Sequence, residues 1–154
     1  MKKIIKIMSC FLLLSALILT MSGCSSFESS MSYTYQVNTG DVINIKLNTA
    51  DGYDLSSDTP FVISKDGEEL SQGTFIQSDE YDQYVAAAEA DEKAEILKKG
   101  TKSGCTYVMW SYDNTEYNYV LMVKGSSTAV LIGNAVSEES AKECFDRLEV
   151  SVVK

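Results

Sequence analysis

The residues with most chemistry to offer are four cysteines, Cys10, Cys24, Cys105 and Cys144, in a chain of 154 residues that has no histidine. Without histidine the commonest general base is missing, and with it the Ser-His-Asp and Cys-His constellations and most zinc sites. A thiol without a neighbouring base is a poor candidate for a nucleophile. Cys105 and Cys144 are too few and too far apart for a metal cluster of the CxxC type. Two readings stand for them. In an oxidising compartment they form a disulfide that closes a loop of about 40 residues, worth roughly 3–4 kcal/mol in the chain-entropy picture. Otherwise they are buried free thiols that pack as small hydrophobes. Carboxylates are abundant, but a glycosidase would need two at a set separation, and no pair stands out. Asp51, Asp54 and Asp58 offer hard oxygens to calcium, yet their spacing fits no EF-hand loop and Asp-Gly turns explain them. "KGSST" (124–128) lacks the spacing of a phosphate-binding loop and reads as a hairpin turn. No metal, no cofactor and no enzymatic activity are expected.

Cys24 has a different setting. Lys2, Lys3 and Lys6 precede an apolar run from Ile7 to Leu19, and the small residues Ser22 and Gly23 stand directly before the cysteine. This is the pattern of a secretory signal peptide over residues 1–23, with an apolar stretch short for a bilayer span. Met21-Ser22-Gly23-Cys24 resembles a bacterial lipobox. The resemblance implies cleavage before Cys24 and a thioether-linked diacylglycerol on its sulfur, and two acyl chains suffice for stable anchoring. The expected location is extracytoplasmic, lipid-anchored to the cell membrane. Cys10 would leave with the leader.

The leader carries three of the 13 Lys and Arg and none of the 22 Asp and Glu, so the remaining 131 residues have a net charge of −12. So acidic a chain is a poor match for nucleic acid. It leaves a protein partner in the envelope as the expected company, and acidity suits a basic one. The length is that of one domain.

The elements that must position these residues follow from pattern. Ser25 to Ser32 is serine-rich, and residues 24–34 read as the lipidated cysteine and a flexible tether, with a single domain over 35–154. "DVINIKL" alternates as a half-buried strand. Asp66-Gly67 predicts a two-residue hairpin turn between Phe61–Lys65 and Glu68–Phe75. Ser78 is the expected cap of a helix with Tyr81, Tyr84, Val85 and Ala88 on one face, and a second short helix is expected from Asp91 to Lys99, stopped by Gly100. Three strands, Thr106–Tyr112, Tyr117–Lys124 and Thr128–Asn134, form a meander. Val108 and Trp110 fall on one side and Tyr107 and Met109 on the other, and neither side is polar, so both faces should be covered. Ser137 caps a final helix with Ala141, Cys144, Phe145 and Leu148 in one stripe, and a short strand ends the chain. The expected fold class is α+β, an antiparallel β-sheet covered by helices.

This order of elements, with "GTFI", "YDQYV", the "YVMWSY…YNYVLMV" hairpin and "GSSTAVLIGNAVSEESAKECFDRLEVSV", resembles the PsbP-like group that includes bacterial lipoproteins of the DcrB type. The resemblance covers Asp41 to Val153 and implies an α/β sandwich serving as an accessory or binding module. It carries over no functional residue. Tyr107, Trp110, Tyr112, Tyr117 and Tyr119 are the candidate binding surface, a stacking platform for a sugar or peptide. Set against that, cross-strand packing favours such residues in any sheet.

Overall fold

The computed structural model describes residues 29–154. The expected signal peptide and Cys24 lie outside the described residues. Within them are ten strands and two helices. β1 (Ser30–Gln36) and β2 (Val42–Asn48) form a hairpin. After a single 3-10 turn at Ala50–Gly52 come β3 (Tyr53–Leu55), β4 (Phe61–Lys65), β5 (Glu68–Gln77) and α1 (Glu80–Ala90). Then follow β6 (Ala94–Lys102), β7 (Cys105–Tyr112), β8 (Glu116–Met122), β9 (Thr128–Asn134), α2 (Glu138–Arg147) and β10 (Leu148–Val152).

The strands form two antiparallel sheets, one of three strands in the order β1-β2-β10 and one of seven in the order β3-β4-β5-β9-β8-β7-β6. The main core lies between them. Ile43, Ile45 and Leu47 of β2 and Leu148 and Val150 of β10 meet Phe61, Ile63, Met109, Tyr119, Leu121, Val130 and Ile132 of the large sheet, with Cys144 and Phe145 of α2 joining at the side. A smaller core lies on the opposite, outer face, where Tyr81 and Ala88 of α1 cover Val108, Trp110, Val120 and Ala129.

The helix-covered α+β sandwich is therefore overturned. The fold is β-rich, and what closes the inner face of the large sheet is mainly a second sheet. The error has two local sources. Residues 91–99 hold good helix formers, yet Ala94–Lys102 is a strand, paired with β7 from Ala94 opposite Tyr112 to Lys102 opposite Cys105. Tertiary pairing outweighs propensities of a few tenths of a kcal/mol per residue. The turn that allows it is Ser103-Gly104, with both residues at positive φ (51° and 84°), the geometry of a two-residue hairpin loop. The second source is the serine-rich entry. Ser30 to Thr34, read as tether, belong to β1, because Met31, Tyr33 and Tyr35 alternate toward the core while the small polar residues face out.

Other expectations hold. Asp66 and Gly67 both take positive φ at the β4–β5 turn. Ser137 caps α2 by accepting from Ser140 N at 3.0 Å. Helix α1 starts one residue later than Ser78 would set it, and Asp79 at its cap makes no side-chain capping bond.

Candidate functional site

The register of the meander scatters the expected aromatic platform. Tyr107 lies opposite Leu121 and Tyr119 opposite Met109, both pointing into the main core. Trp110 lies opposite Asn118 and points to the other face, under α1. Tyr119 is fully buried, Tyr107 is 4 % exposed and Trp110 8 %. Tyr117 spends its hydroxyl on Asn114 O at 3.0 Å, and Tyr112 sits beneath the Lys93 ammonium, 5.9 Å away. Alternation in a strand puts neighbours on opposite faces, so these five rings share no surface. Tyr107 and Tyr119 instead pack on Phe145, with ring centroids 4.5 and 5.2 Å apart.

Both thiols of the described residues are free and buried. Cys105 Sγ donates to Val150 O at 3.3 Å. Burial pushes both thiols up, with the Ser71 and Ser140 hydroxyls pulling Cys144 partly back. A thiol held protonated in apolar surroundings is inert as a nucleophile. Asp51 is paired with Arg147 Nη2 at 2.7 Å, and Asp54 accepts from Leu55 N. Among the described residues no three His, Cys, Asp or Glu side chains are grouped to hold a metal. The turn at "KGSST" is filled from within, because Asp41 Oδ2 takes Ser127 N–H at 2.7 Å and the Thr128 hydroxyl at 2.8 Å.

Arg147 closes a second cluster that is also internally satisfied. Its guanidinium stacks on Tyr53 (4.1 Å), donates to Ala50 O at 2.9 Å, and leaves Tyr53 to donate to Glu143 Oε2 at 2.5 Å. These bonds tie the end of α2 to the β2–β3 connection.

A polar hollow of about 760 Å³ lies beside this cluster, lined by Lys46, Asn48, Glu143 and Arg147, and a more apolar one opens on the outer face beyond α1. The helix crosses only part of the large sheet, and over β5, β9 and β8 a groove of about 710 Å³ is left. Cross-strand register places Gln72, Gly133 and Asn118 in one row across its floor and Thr74 and Leu131 in the next. Glu69 and Glu116 lie at its sides, and Pro60, Leu70 and Val136 add apolar surface. Among the described residues no lysine or arginine lines it. Gly133 keeps the floor low: a Cβ there would stand 3.1 Å from Asn118 Oδ1. A glycine inside a strand marks a place where something can approach the backbone closely.

The wall on the α2 side is held by buried polar contacts. Asn134 Nδ2 donates to Ser71 Oγ and to Ser140 Oγ, both at 3.0 Å, while its Oδ1 accepts from Val136 N at 2.9 Å and Ser137 N at 3.3 Å. One 3 %-exposed amide thus fixes the loop that sets Val136 at the rim, 57 % exposed. None of these residues stood out in the sequence. The available signals were the glycine in an otherwise apolar strand and the Gly-Asn-Ala-Val-Ser run before a helix cap.

Chemically the groove can hold. It offers amides, a hydroxyl and peptide edges for hydrogen bonds, two carboxylates and an apolar rim, and among the described residues it pairs no nucleophile with a base. Comparison of the chain with known protein families, with curated proteins and with solved structures finds no match to any of them.

Proposed function

We propose that this protein is a lipid-anchored extracytoplasmic binding module, held at the membrane through Cys24 and presenting the outer groove to a neutral or basic segment of another envelope protein. The observation that carries the binding half is the groove's lining: amide and hydroxyl groups flanked by Glu69 and Glu116, with no cation among the described residues. A carboxylate or phosphate ligand would meet like charge there, whereas a peptide edge or an amine finds acceptors. The anchoring half rests on the Met21-Ser22-Gly23-Cys24 motif behind a charged start and a short apolar run. No catalytic role is proposed, since the described thiols are buried and the chain has no histidine.

The test uses the full chain extracted from membranes in detergent. Its intact mass and the proteins recovered with it are compared with those of Gly133→Leu, which fills the groove. A mass of residues 24–154 plus acyl chains, with a stoichiometric partner lost in the variant, supports the proposal. A mass without acyl chains removes the anchor, and equal recovery of the partner by both proteins removes the groove.

A further inference from the structure

The two sheets present four edges, and three of them are protected. β3 is three residues long. β6 carries Lys98, Lys99 and Lys102 and is kinked by a register shift between Ile96 and Lys98. β10 is five residues long, carries Glu149, and has Val150 O engaged by the Cys105 thiol. Short length, lysines, bulges and covered backbone are the recognised ways of preventing strand addition. β1 has none of these. It is seven residues, Ser30 to Gln36, in unbroken register with β2 from Ser30 opposite Asn48 to Gln36 opposite Val42. It contains no charged residue, no proline and no glycine. Its outer edge pairs with no strand among the described residues.

We infer that β1 is a pairing edge and that its occupant is β1 of a second copy of this chain, the two strands running antiparallel about a two-fold axis at Tyr33. The strand is suited to itself. With Tyr33 opposite Tyr33, Met31 faces Tyr35 and Ser32 faces Thr34, so inward residues meet inward residues and outward meet outward. Met31 and Tyr33 pack only partly against the core in the single chain, and the second copy covers them further. Charge selects the edge. In a chain so acidic, self-association must proceed through a neutral surface, and β1 is the uncharged edge of useful length. The result is a continuous six-stranded sheet, β10-β2-β1-β1-β2-β10, with an isologous interface.

The experiment measures the mass of the full detergent-solubilised chain by light scattering across a concentration series, with two variants. Ser32→Lys with Thr34→Lys places lysines opposite lysines, and Ser32→Asp with Thr34→Asp places carboxylates opposite carboxylates. The wild type is expected to be a dimer, each variant alone a monomer, and the equimolar mixture of the two a dimer again. A monomeric wild type overturns the inference and leaves the edge to a different protein's strand. A wild-type dimer unmoved by both variants overturns it as well, because the contact then lies elsewhere. If a variant does not fold, amide exchange of the wild type decides. Protection in β1 that rises with protein concentration is the expected result, and protection independent of concentration contradicts the pairing.

Discussion

The inner and outer faces of the large sheet are made by alternate residues of the same strands, and they differ in what closes them. Inward, Tyr107, Met109, Tyr119, Leu121, Val130 and Ile132 meet a second sheet and α2, and little remains exposed. Outward, Val108, Trp110, Val120 and Ala129 are covered by α1, but one step along the strands the same face becomes Gln72, Asn118 and Gly133 in an open groove. A strand's period of two lets one face carry stability while the other is free to vary. The comparison teaches where to look in such a fold: at the part of the sheet that its covering helix leaves bare.

The largest effect that could break this contrast is Phe145→Ala. Phe145 is 3 % exposed and joins the rings of Tyr107 and Tyr119. Loss of a buried phenyl is expected to cost about 3–5 kcal/mol, read from urea unfolding. A cost below 1 kcal/mol would mean that the inner face is not the stabilising one.

Two glycines sharpen the contrast further. A Cβ on Gly73 would stand 2.1 Å from Phe61 Cζ, on the inner face, whereas one on Gly133 meets only the end of the Asn118 side chain. Gly73→Ala is therefore expected to lose about 1–3 kcal/mol by overpacking. Gly133→Ala should stay within about 0.5 kcal/mol, as for a surface change. Equal losses for both would erase the distinction between the faces.

Alkaline pH tests the inner side differently. Burial raises Tyr35 to about 12, and burial, aided by the bond to Glu143, does the same for Tyr53. The folded state keeps these protons where the unfolded chain has lost them. The stability they contribute is complete below pH 10 and is lost as the pH rises from 10 toward 12. Urea midpoints at pH 8, 10 and 11 should be flat over the first interval and fall over the second.

The smallest expected change is Tyr119→Phe. The Tyr119 hydroxyl is fully buried and makes no hydrogen bond of good geometry among the described residues; burial holds its pKa well above 10, and the nearby Ser71 hydroxyl pulls it only partly back. Removing an unsatisfied hydroxyl is expected to leave stability unchanged or raise it by up to about 1 kcal/mol. A marked loss would point to a bond that this hydroxyl makes in solution.

Much of this was legible locally. β2 follows from alternation, the β7–β9 meander from apolar and aromatic runs between tight connections, the β4–β5 turn from Asp66-Gly67, and α2 from Ser137 and the stripe through Ala141, Cys144 and Phe145. What was not legible depends on distant partners. β10 pairs with β2 about a hundred residues away, Leu148 opposite Leu47, and no local pattern announces that second sheet. β6 reads as helix because its lysines and glutamate belong to an exposed edge, where pairing rather than composition decides. The groove was hidden for the same reason, since Gln72, Asn118 and Gly133 become neighbours only through the register of three strands.

The most direct test of the central claim, that the bare part of the outer face is the binding surface, is cross-linking in intact membranes. A photoreactive residue is placed at Asn118 in the groove and, in a separate protein, at Asp82 on the exposed side of α1. A discrete adduct with one envelope protein from position 118, absent from position 82, is the expected result. Identical adducts from both positions, or none from 118, would contradict it.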